Sequence, residues 1–526
     1  MARRMKAPVK FALIFGIMGA LFFGFLKFKD QILPKAKQPG SILTEETRGP
    51  VGITPTNNMQ PGNIPILRVL VCTWPGWGGP VYFNNGFEPN KESRFYKDYG
   101  FMVQFIKSDE LTNSRNAWLG GSADLMWTTV DCFASQLPSI QSFKPRLLYQ
   151  VDWSRGGDSL VVNFGIDNVA DLKGKKVSCA MQSPSTTLLI TTLQSGNMEL
   201  SDIQLIECAD AIASASMFKS GQVDAAVVWS PDDLGCIQSV KGSKILINTK
   251  TNANFIIADA FYAPEHLIQS NPQMLTDFVE GALIGAAEIN TDVAAKKKAA
   301  GLLAYGLGLT SKEMEDCMDN ARFCTLGDNL NFFGLNTSYT GVKGEDLYNQ
   351  MGRIYAALDM APKVLPPWRD ITCLTIMQKL QTSPKLTGIM HEAEGAVHFK
   401  PATVKEATAS AISSKTLSVT FATGSSSLDA NAQIIIDIGF SDIAKQFGAA
   451  RIRVVGRTDN VGSRESNVEL SKRRANKVVQ YLVNTYGFDK NRFIIEGKGP
   501  DDPLADNATE QGRAKNRCTE FQLLGN

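Results

Sequence analysis

From Phe11 to Leu26 the chain runs sixteen residues without a charge (FALIFGIMGALFFGFL), with Arg3, Arg4, Lys6 and Lys10 before the run and Lys27 and Lys29 after it. Such a run commits the rest of the chain to one side of a membrane. A span needs about 20 apolar residues, and the aliphatic stems of Lys10 and Lys27 extend this one toward the interfaces. The exit, Phe-Gly-Phe-Leu-Lys-Phe-Lys, has no small-x-small cleavage pattern, so an uncleaved anchor is expected over a signal peptide. Arg3 and Arg4 favour an N-terminus inside. Residues 1–9 are therefore expected in the cytoplasm and 10–28 in the bilayer. No Asp, Glu or His lies in the run, so it offers no group for ion conduction.

Residues 29–65 are rich in Pro, Gly, Asn and Thr, with no apolar period, and read as a linker. If flexible, such a tether spans ~30 Å on average and ~115 Å when extended. At 526 residues the chain is too long for one ordinary core, and its length suggests about three units. Lys+Arg 54 against Asp+Glu 52 gives +2, with no basic excess to draw in nucleic acid. Nine cysteines show no CxxC pair, so a disulfide framework is not expected, and a single bridge such as Cys317–Cys324 stays open. Only His266, His391 and His398 occur, which counts against a histidine metal site or base. No metal or cofactor is expected.

From Ile66 on, short β-prone runs alternate with helical stretches. They are Ile66–Thr73, Gly100–Ile106, Asp124–Thr128, Leu147–Val151, Ser159–Val162, Lys176–Ala180, Ile203–Ile206 and Asp224–Val228. This alternation predicts a parallel α/β architecture. The tail Pro272–Lys385 reads as mostly helical, broken by Pro362, Pro366 and Pro367. The segments "YKDYGFMVQFI", "GGSADLMWTTVD", "DWSRGGDSLVV", "VADLKGKKVSC" and "FKSGQVDAAVVWSPD" occur in an order that resembles periplasmic substrate-binding proteins for nitrate, sulfonates and the thiamine pyrimidine. The resemblance implies an α/β two-lobed periplasmic-binding-protein-like domain over 66–389, with a ligand cleft that closes by a hinge.

Ligands in open α/β sheets sit at the carboxyl ends of strands. The candidates there are Trp74; Trp127, Thr128 and Thr129; Trp153 and Ser154; Trp229 and Asp232; and Ser183, Ser185 and Thr186. Pro184 suits the first turn of a helix and Ser183 its N-cap. Free amides and hydroxyls there would suit a small anionic or zwitterionic solute, and the aromatic residues a flat or apolar part of it. Each residue type also has an ordinary use, as a cap or as core. Ser-His-Asp order, a P-loop and HExxH are all absent, so the chain is expected not to be an enzyme. The "GWGGP" of Gly76–Pro80 lacks the Lys-Ser/Thr of a phosphate loop and reads as a turn.

Residues 390–413, rich in Ala, Thr and Ser, read as a second linker, and a new pattern begins at Leu417. Arg451–Gly456 is half-buried strand by its alternation. Ala475, Val478, Val479, Leu482 and Val483 then repeat with helical period, and Gly487 fits the cap. Strands near Arg492–Glu496 and Thr519–Leu524 complete an α+β unit over 414–526. "FATGSSSL", "RTDNVGSRESNVELSKRRANKV", "IIEGKGPDDPLADN" and "GRAKNRCTEF" resemble the OmpA-like peptidoglycan-binding domain. The resemblance implies that Asp459 and Arg474 hold diaminopimelate of the stem peptide. A carboxylate accepts from its ammonium, and a guanidinium clamps its carboxylate bidentately. Thr458, Gly462 and Asn467 match positions that shape the pocket, and Arg513, Asn516 and Arg517 match the end motif and brace it. Cys518 departs from the larger or charged residue usual there.

The whole predicts a bacterial inner-membrane protein with one transmembrane helix and most of its mass in the periplasm. It binds peptidoglycan and presents a solute-binding-like domain as scaffold or sensor, beside a possible membrane-protein partner. The rivals are a solute receptor of a transport system and a stator-like subunit. The second needs a titratable carboxylate in the span, which Phe11–Leu26 lacks.

Overall fold

The computed structural model describes residues 64–388, 398–419, 421 and 424–525. The expected anchor and nearly all of the first tether lie outside these residues, as does part of 390–413. Among the described residues no helix is long and apolar enough to cross a membrane.

The first lobe begins with parallel strands β1 (Ile66–Val71) and β2 (Met102–Lys107). A bridge between Val69 and Leu125 ties them to a four-stranded sheet containing β3 (Met126–Thr129) and β4 (Pro145–Ser154). The chain then crosses into a second lobe. There β5 (Asp158–Val162), β6 (Lys176–Ala180), β7 (Gln204–Cys208), β8 (Ala225–Trp229) and β9 (Lys244–Asn248) form a sheet of order β7-β6-β8-β5-β9. It returns to the first lobe with β10 (Ala258–Pro264), inserted between β3 and β4, and β11 (Ala321–Phe323) closes that sheet's edge. β10 is buried along its whole length, which is why ADAFYAP carries one charge among seven residues.

Two features correct the expectation of parallel sheets. β10 runs antiparallel to both β3 and β4, and β5 runs antiparallel to β8 and β9. These strands flank the two crossings between the lobes. At the crossings the Ser154 and Thr249 hydroxyls lie 2.9 Å apart, and the Gly156 amide donates to Thr249 Oγ1 at 2.8 Å. The helical tail is as expected, apart from β11. The longest helices in it are Pro272–Thr291, Val293–Leu307 and Gly344–Ala357. "GWGGP" opens a 3-10 turn and the helix Gly78–Asn84 instead of a turn alone: Gly79 and Gly285 bring two helices into backbone contact, where no side chain fits.

The C-terminal domain has a four-stranded sheet of order β12-β15-β13-β14, built from β12 (Ala411–Leu417), β13 (Ile452–Arg457), β14 (Phe493–Gly499) and β15 (Thr519–Leu524). The helix Arg464–Tyr486 packs on it and ends at Gly487, whose φ of +69° explains that glycine. Part of the expected second linker is structured. Val404–Ala407 is a capped helical turn, and β12 starts at Ala411, where Ser413 and Lys415 face the second lobe. Ser413 Oγ lies 2.7 Å from Ser195 Oγ, Lys415 Nζ donates to the Gln194 carbonyl at 2.8 Å, and the Phe255 amide donates to the Gln446 carbonyl at 3.2 Å. One apolar cluster runs from Leu189 and Ile257 into Phe440 and Phe447. The described residues accordingly form one compact unit. All nine cysteines are free, so the Cys317–Cys324 bridge left open by the sequence is not formed.

Candidate functional sites

The first site lies where the lobes meet. The ends of β1, β3 and β8 bring Trp74, Trp127 and Trp229 around a small cavity of ≈ 20 Å³, completed by Cys72, Pro184 and Ile257. That volume is room for about one water. Trp74 reaches its place because Gly157 leaves space: a Cβ there would collide with the indole. Its Nε1 donates to Asp152 Oδ2 at 3.0 Å. Trp229 Nε1 donates to Ser185 Oγ at 3.1 Å, and Trp127 and Trp229 meet edge to face with centroids 6.5 Å apart.

Acidic residues dominate the polar part. Asp158 and Asp259 line the cavity, Asp152 is paired in register with Asp259 across β4 and β10, and Asp131 lies close behind. All four are buried. Burial pushes Asp131, Asp152 and Asp158 up to about 7; hydroxyls of Thr187, Thr129 and Ser154 and the Trp74 N–H offset part of this. Burial first, and then the charges of Asp152 and Asp158, hold Asp259 well above the usual carboxylate range. Among the described residues, no lysine or arginine lines the cavity. An anion, the solute class expected from the hydroxyl-rich strand ends, would meet carboxylates here.

The sequence candidates separate accordingly. Trp74, Trp127 and Trp229 line the cavity, and Ser185 holds Trp229. Ser183 caps the helix Pro184–Ser195 as expected, accepting from the Ser185 amide, and Thr186 donates to the Ala180 carbonyl. Thr128 donates to Gln136 Oε1, Thr129 to Cys132 Sγ, and Ser154 to Asp158 Oδ2 at 2.6 Å. Two candidates lie elsewhere. Trp153 packs edge to face on Phe255 and Phe332 in the core, and Asp232 is half-exposed and ion-paired with Lys219 at 2.7 Å. Sequence reading missed Asp158 and Asp259. The only signal was a lone acid in the apolar run IIADAFYAP, where a charge has no structural reason to be.

The second site lies at the top of β13. The loop after this strand is folded back by Asn467, whose Nδ2 donates to the Val461 carbonyl at 3.0 Å, with Gly462 at φ +98° making the turn. The Thr458 hydroxyl donates to the Asp459 carbonyl. Asp459 Oδ2 accepts from Arg517 Nη1 at 2.7 Å, and its Oδ1 from the Val461 amide at 3.1 Å. Arg474, from the third turn of the helix Arg464–Tyr486, donates through Nε to the Ser425 carbonyl at 3.0 Å, with its guanidinium 4.8 Å from the Phe421 ring centre. Burial lowers its pKa, while Asp459 pulls it up and Arg517 down, so the three charges share one neighbourhood. Arg474 and Arg517, with Phe421, Val419 and Lys515, line a cavity of ≈ 330 Å³.

Arg513 and Asn516, on the helix Glu510–Asn516, stand behind and hold the loop 505–510. Arg513 pairs with Glu510, and Asn516 binds Ala505 and Asn507. Arg517 does more than brace, since it pairs with Asp459 directly. Phe421 and Lys515 were not singled out from sequence. Among the described residues no cluster of His, Cys, Asp or Glu could hold a metal ion.

The described residues thus form a two-lobed α/β unit with a cavity between its lobes, joined to a small α+β domain with a basic pocket. Residues 420–517 match the family model described as OmpA family, and residues 160–292 that described as NMT1/THI5 like. The chain thus carries an OmpA-family segment near its C-terminus and an NMT1/THI5-like segment before it. Outer membrane protein A of Bordetella avium is 44% identical over 82 residues, 16% of this chain and 42% of that protein. Outer membrane porin F of Pseudomonas aeruginosa is 45% identical over 83 residues, 16% and 24%. Peptidoglycan-binding protein ArfA of Mycobacterium bovis is 39% identical over 98 residues, 19% and 29%. The chain therefore spans less than half the length of these relatives. Among solved structures, the periplasmic aliphatic sulphonate binding protein SsuA of Escherichia coli is 19% identical, covering 60% of this chain and 100% of that one, with a TM-score of 0.44. The desulfurization enzyme DSZB is 12% identical, covering 60% and 98%, with a TM-score of 0.43.

Proposed function

We propose that this protein is a non-catalytic envelope protein that grips peptidoglycan through Asp459 and Arg474 and presents a solute-binding domain next to the wall. The observation that carries the reading is the second cavity. Asp459 and Arg474, fifteen residues apart in the chain, sense each other's charge beside a basic pocket of ≈ 330 Å³. Its chemistry suits the zwitterionic end of diaminopimelate, with Asp459 for the ammonium and Arg474 and Arg517 for the carboxylate. Thr458, Gly462 and Asn467 hold the loop, and Arg513 and Asn516 hold the segment behind it. The name of the mycobacterial relative, a peptidoglycan-binding protein, agrees with this reading.

On this reading the charge-free run Phe11–Leu26 holds the chain in the inner membrane, with the bulk in the periplasm. The solute-binding domain acts as scaffold or sensor. Its packing on the wall-binding domain, through Ser195–Ser413 and Lys415–Gln194, supports a single working unit over two independently tethered ones.

Sedimentation with purified sacculi tests the wall site. Asp459→Ala and Arg474→Ala are each expected to lower the bound fraction at least tenfold with an unchanged melting temperature. Undiminished binding by both variants would remove these residues from the pocket.

A further inference from the structure

We propose that the cavity between the lobes takes a compact organic cation of the alkylammonium or amino-alcohol type. The inference rests on the reading of this domain as solute-binding and specifies what it binds. Three of the lining residues are tryptophans, Trp74, Trp127 and Trp229, and the polar ones are Asp158 and Asp259, with no lysine or arginine among the described lining residues. An alkylammonium is attracted by both: the π-face by its quadrupole, the carboxylate by its charge. A cation outside water is stabilised more strongly by such partners than one at a surface.

A second observation points to an occupant independently of the acids. Trp127 is 1% exposed, lines the cavity, and leaves its indole N–H without a partner. A buried donor without an acceptor costs about 1–3 kcal/mol, a cost that a ligand hydroxyl or a carried water removes. Behind the wall, Asp131 Oδ2 is likewise buried without a partner. Four buried carboxylates around one space, Asp131, Asp152, Asp158 and Asp259, repel one another when ionised, and a bound cation relieves that repulsion. The ≈ 20 Å³ of the cavity admits only one or two heavy atoms. A larger cation enters when the lobes part at the crossings Ser154–Gly157 and Thr249–Ile257, where Thr249 joins the two strands.

Calorimetric titration of the full chain, purified in non-ionic detergent, tests this with three sets of probes. They are ethanolamine and choline, the neutral choline isostere 3,3-dimethylbutan-1-ol, and the anions nitrate and methanesulfonate. At least one cation is expected to bind tenfold or more tighter than the neutral isostere and both anions. Asp259→Asn should cut that affinity at least tenfold while melting no lower than the parent, and Trp229→Leu should weaken it with Asp259 intact. Preference for an anion would overturn the charge assignment and leave the solute-binding reading in place. Failure of all three sets, with sacculus binding retained, would overturn both this inference and the solute-binding reading but not the wall site. Undiminished cation binding by Asp259→Asn would also overturn it.

Discussion

The two cavities are built on opposite electrostatic plans. Around the interlobe cavity, carboxylates gather without cations in its lining, and burial holds them above their ordinary pKa. Around the cavity of the C-terminal domain, charges of both signs are paired: Asp459 with Arg517, Arg464 with Asp501, and Arg457 with Glu520 beneath the loop. An unpaired buried charge is a standing cost that a ligand removes, whereas a paired one holds a shape that a ligand meets ready-made. The first plan suits a cavity that changes on binding. The second suits a grip that stays preformed.

The contrast is most sharply tested by removing one carboxylate from each region. Arg457 and Glu520 are both buried and 2.9 Å apart, and Arg457 also donates to the Asp502 carbonyl. Glu520→Ala strands the guanidinium and is expected to cost ~3–5 kcal/mol in a urea melt. Asp259→Asn, among like charges, is expected to raise stability at neutral pH. Equal losses from both substitutions would erase the difference between the plans.

Gly157→Ala comes next. The added methyl drives into the Trp74 ring, so a loss of ~1–3 kcal/mol is expected, together with a change in tryptophan fluorescence as the indole is displaced. An unchanged spectrum would mean that Trp74 is not held by the crossing strand.

The pH dependence should also split. Asp131, Asp152 and Asp158 have folded pKa values near 7, above the unfolded value of about 3.9. Between these limits the folded chain keeps protons that the unfolded chain releases. Stability from this region therefore falls as pH rises from about 4 to 7, by ~1.4 kcal/mol per unit for each proton kept. Asp259, and the Cys72 thiol raised by burial, face the same cluster and push the same way at higher pH. In the wall-binding domain the sign reverses. Glu406, held at about 2 chiefly by the Thr403 amide and hydroxyl, and Asp489, held low by the Phe399 amide, contribute stability above the usual carboxylate range and lose it as pH falls. Melting curves from pH 3 to 8 should show Asp158→Asn flattening only the upper slope.

The smallest effect lies at the contact between the two regions. Ser413→Ala breaks a buried hydroxyl pair with Ser195 and should cost ~0.5–1.5 kcal/mol, visible as earlier exchange of the β12 amides. If it separates the domains in limited proteolysis, the shared apolar cluster contributes less than its extent suggests.

Much of the fold was legible because its signals are local. Lys176–Ala180 and Thr519–Leu524 are strands with the bounds read from their β-prone runs, and Ser183, Pro184 and Gly487 cap helices where their side-chain chemistry places them. The OmpA-like segment was legible for a different reason: a long ordered motif carries its residues together. Strand direction was not legible, because antiparallel entry of β5 and β10 depends on where the chain crosses between lobes and leaves no periodic trace. Trp153 and Asp232 were misplaced because a strand end has two faces, and only packing decides which one meets the cavity.

By itself, the sequence determined the order of the units, their strands and caps, and the charges that can serve each site, since all of these depend on neighbours along the chain. The tertiary structure alone decided that Asp131, Asp152, Asp158 and Asp259 gather around one space, that Arg517 pairs with Asp459, and that β12 lays the wall-binding domain against the second lobe. Those facts arise from contacts between residues tens to hundreds of positions apart, and whether a buried charge meets an opposite charge or a like one is set only when the chain closes on itself.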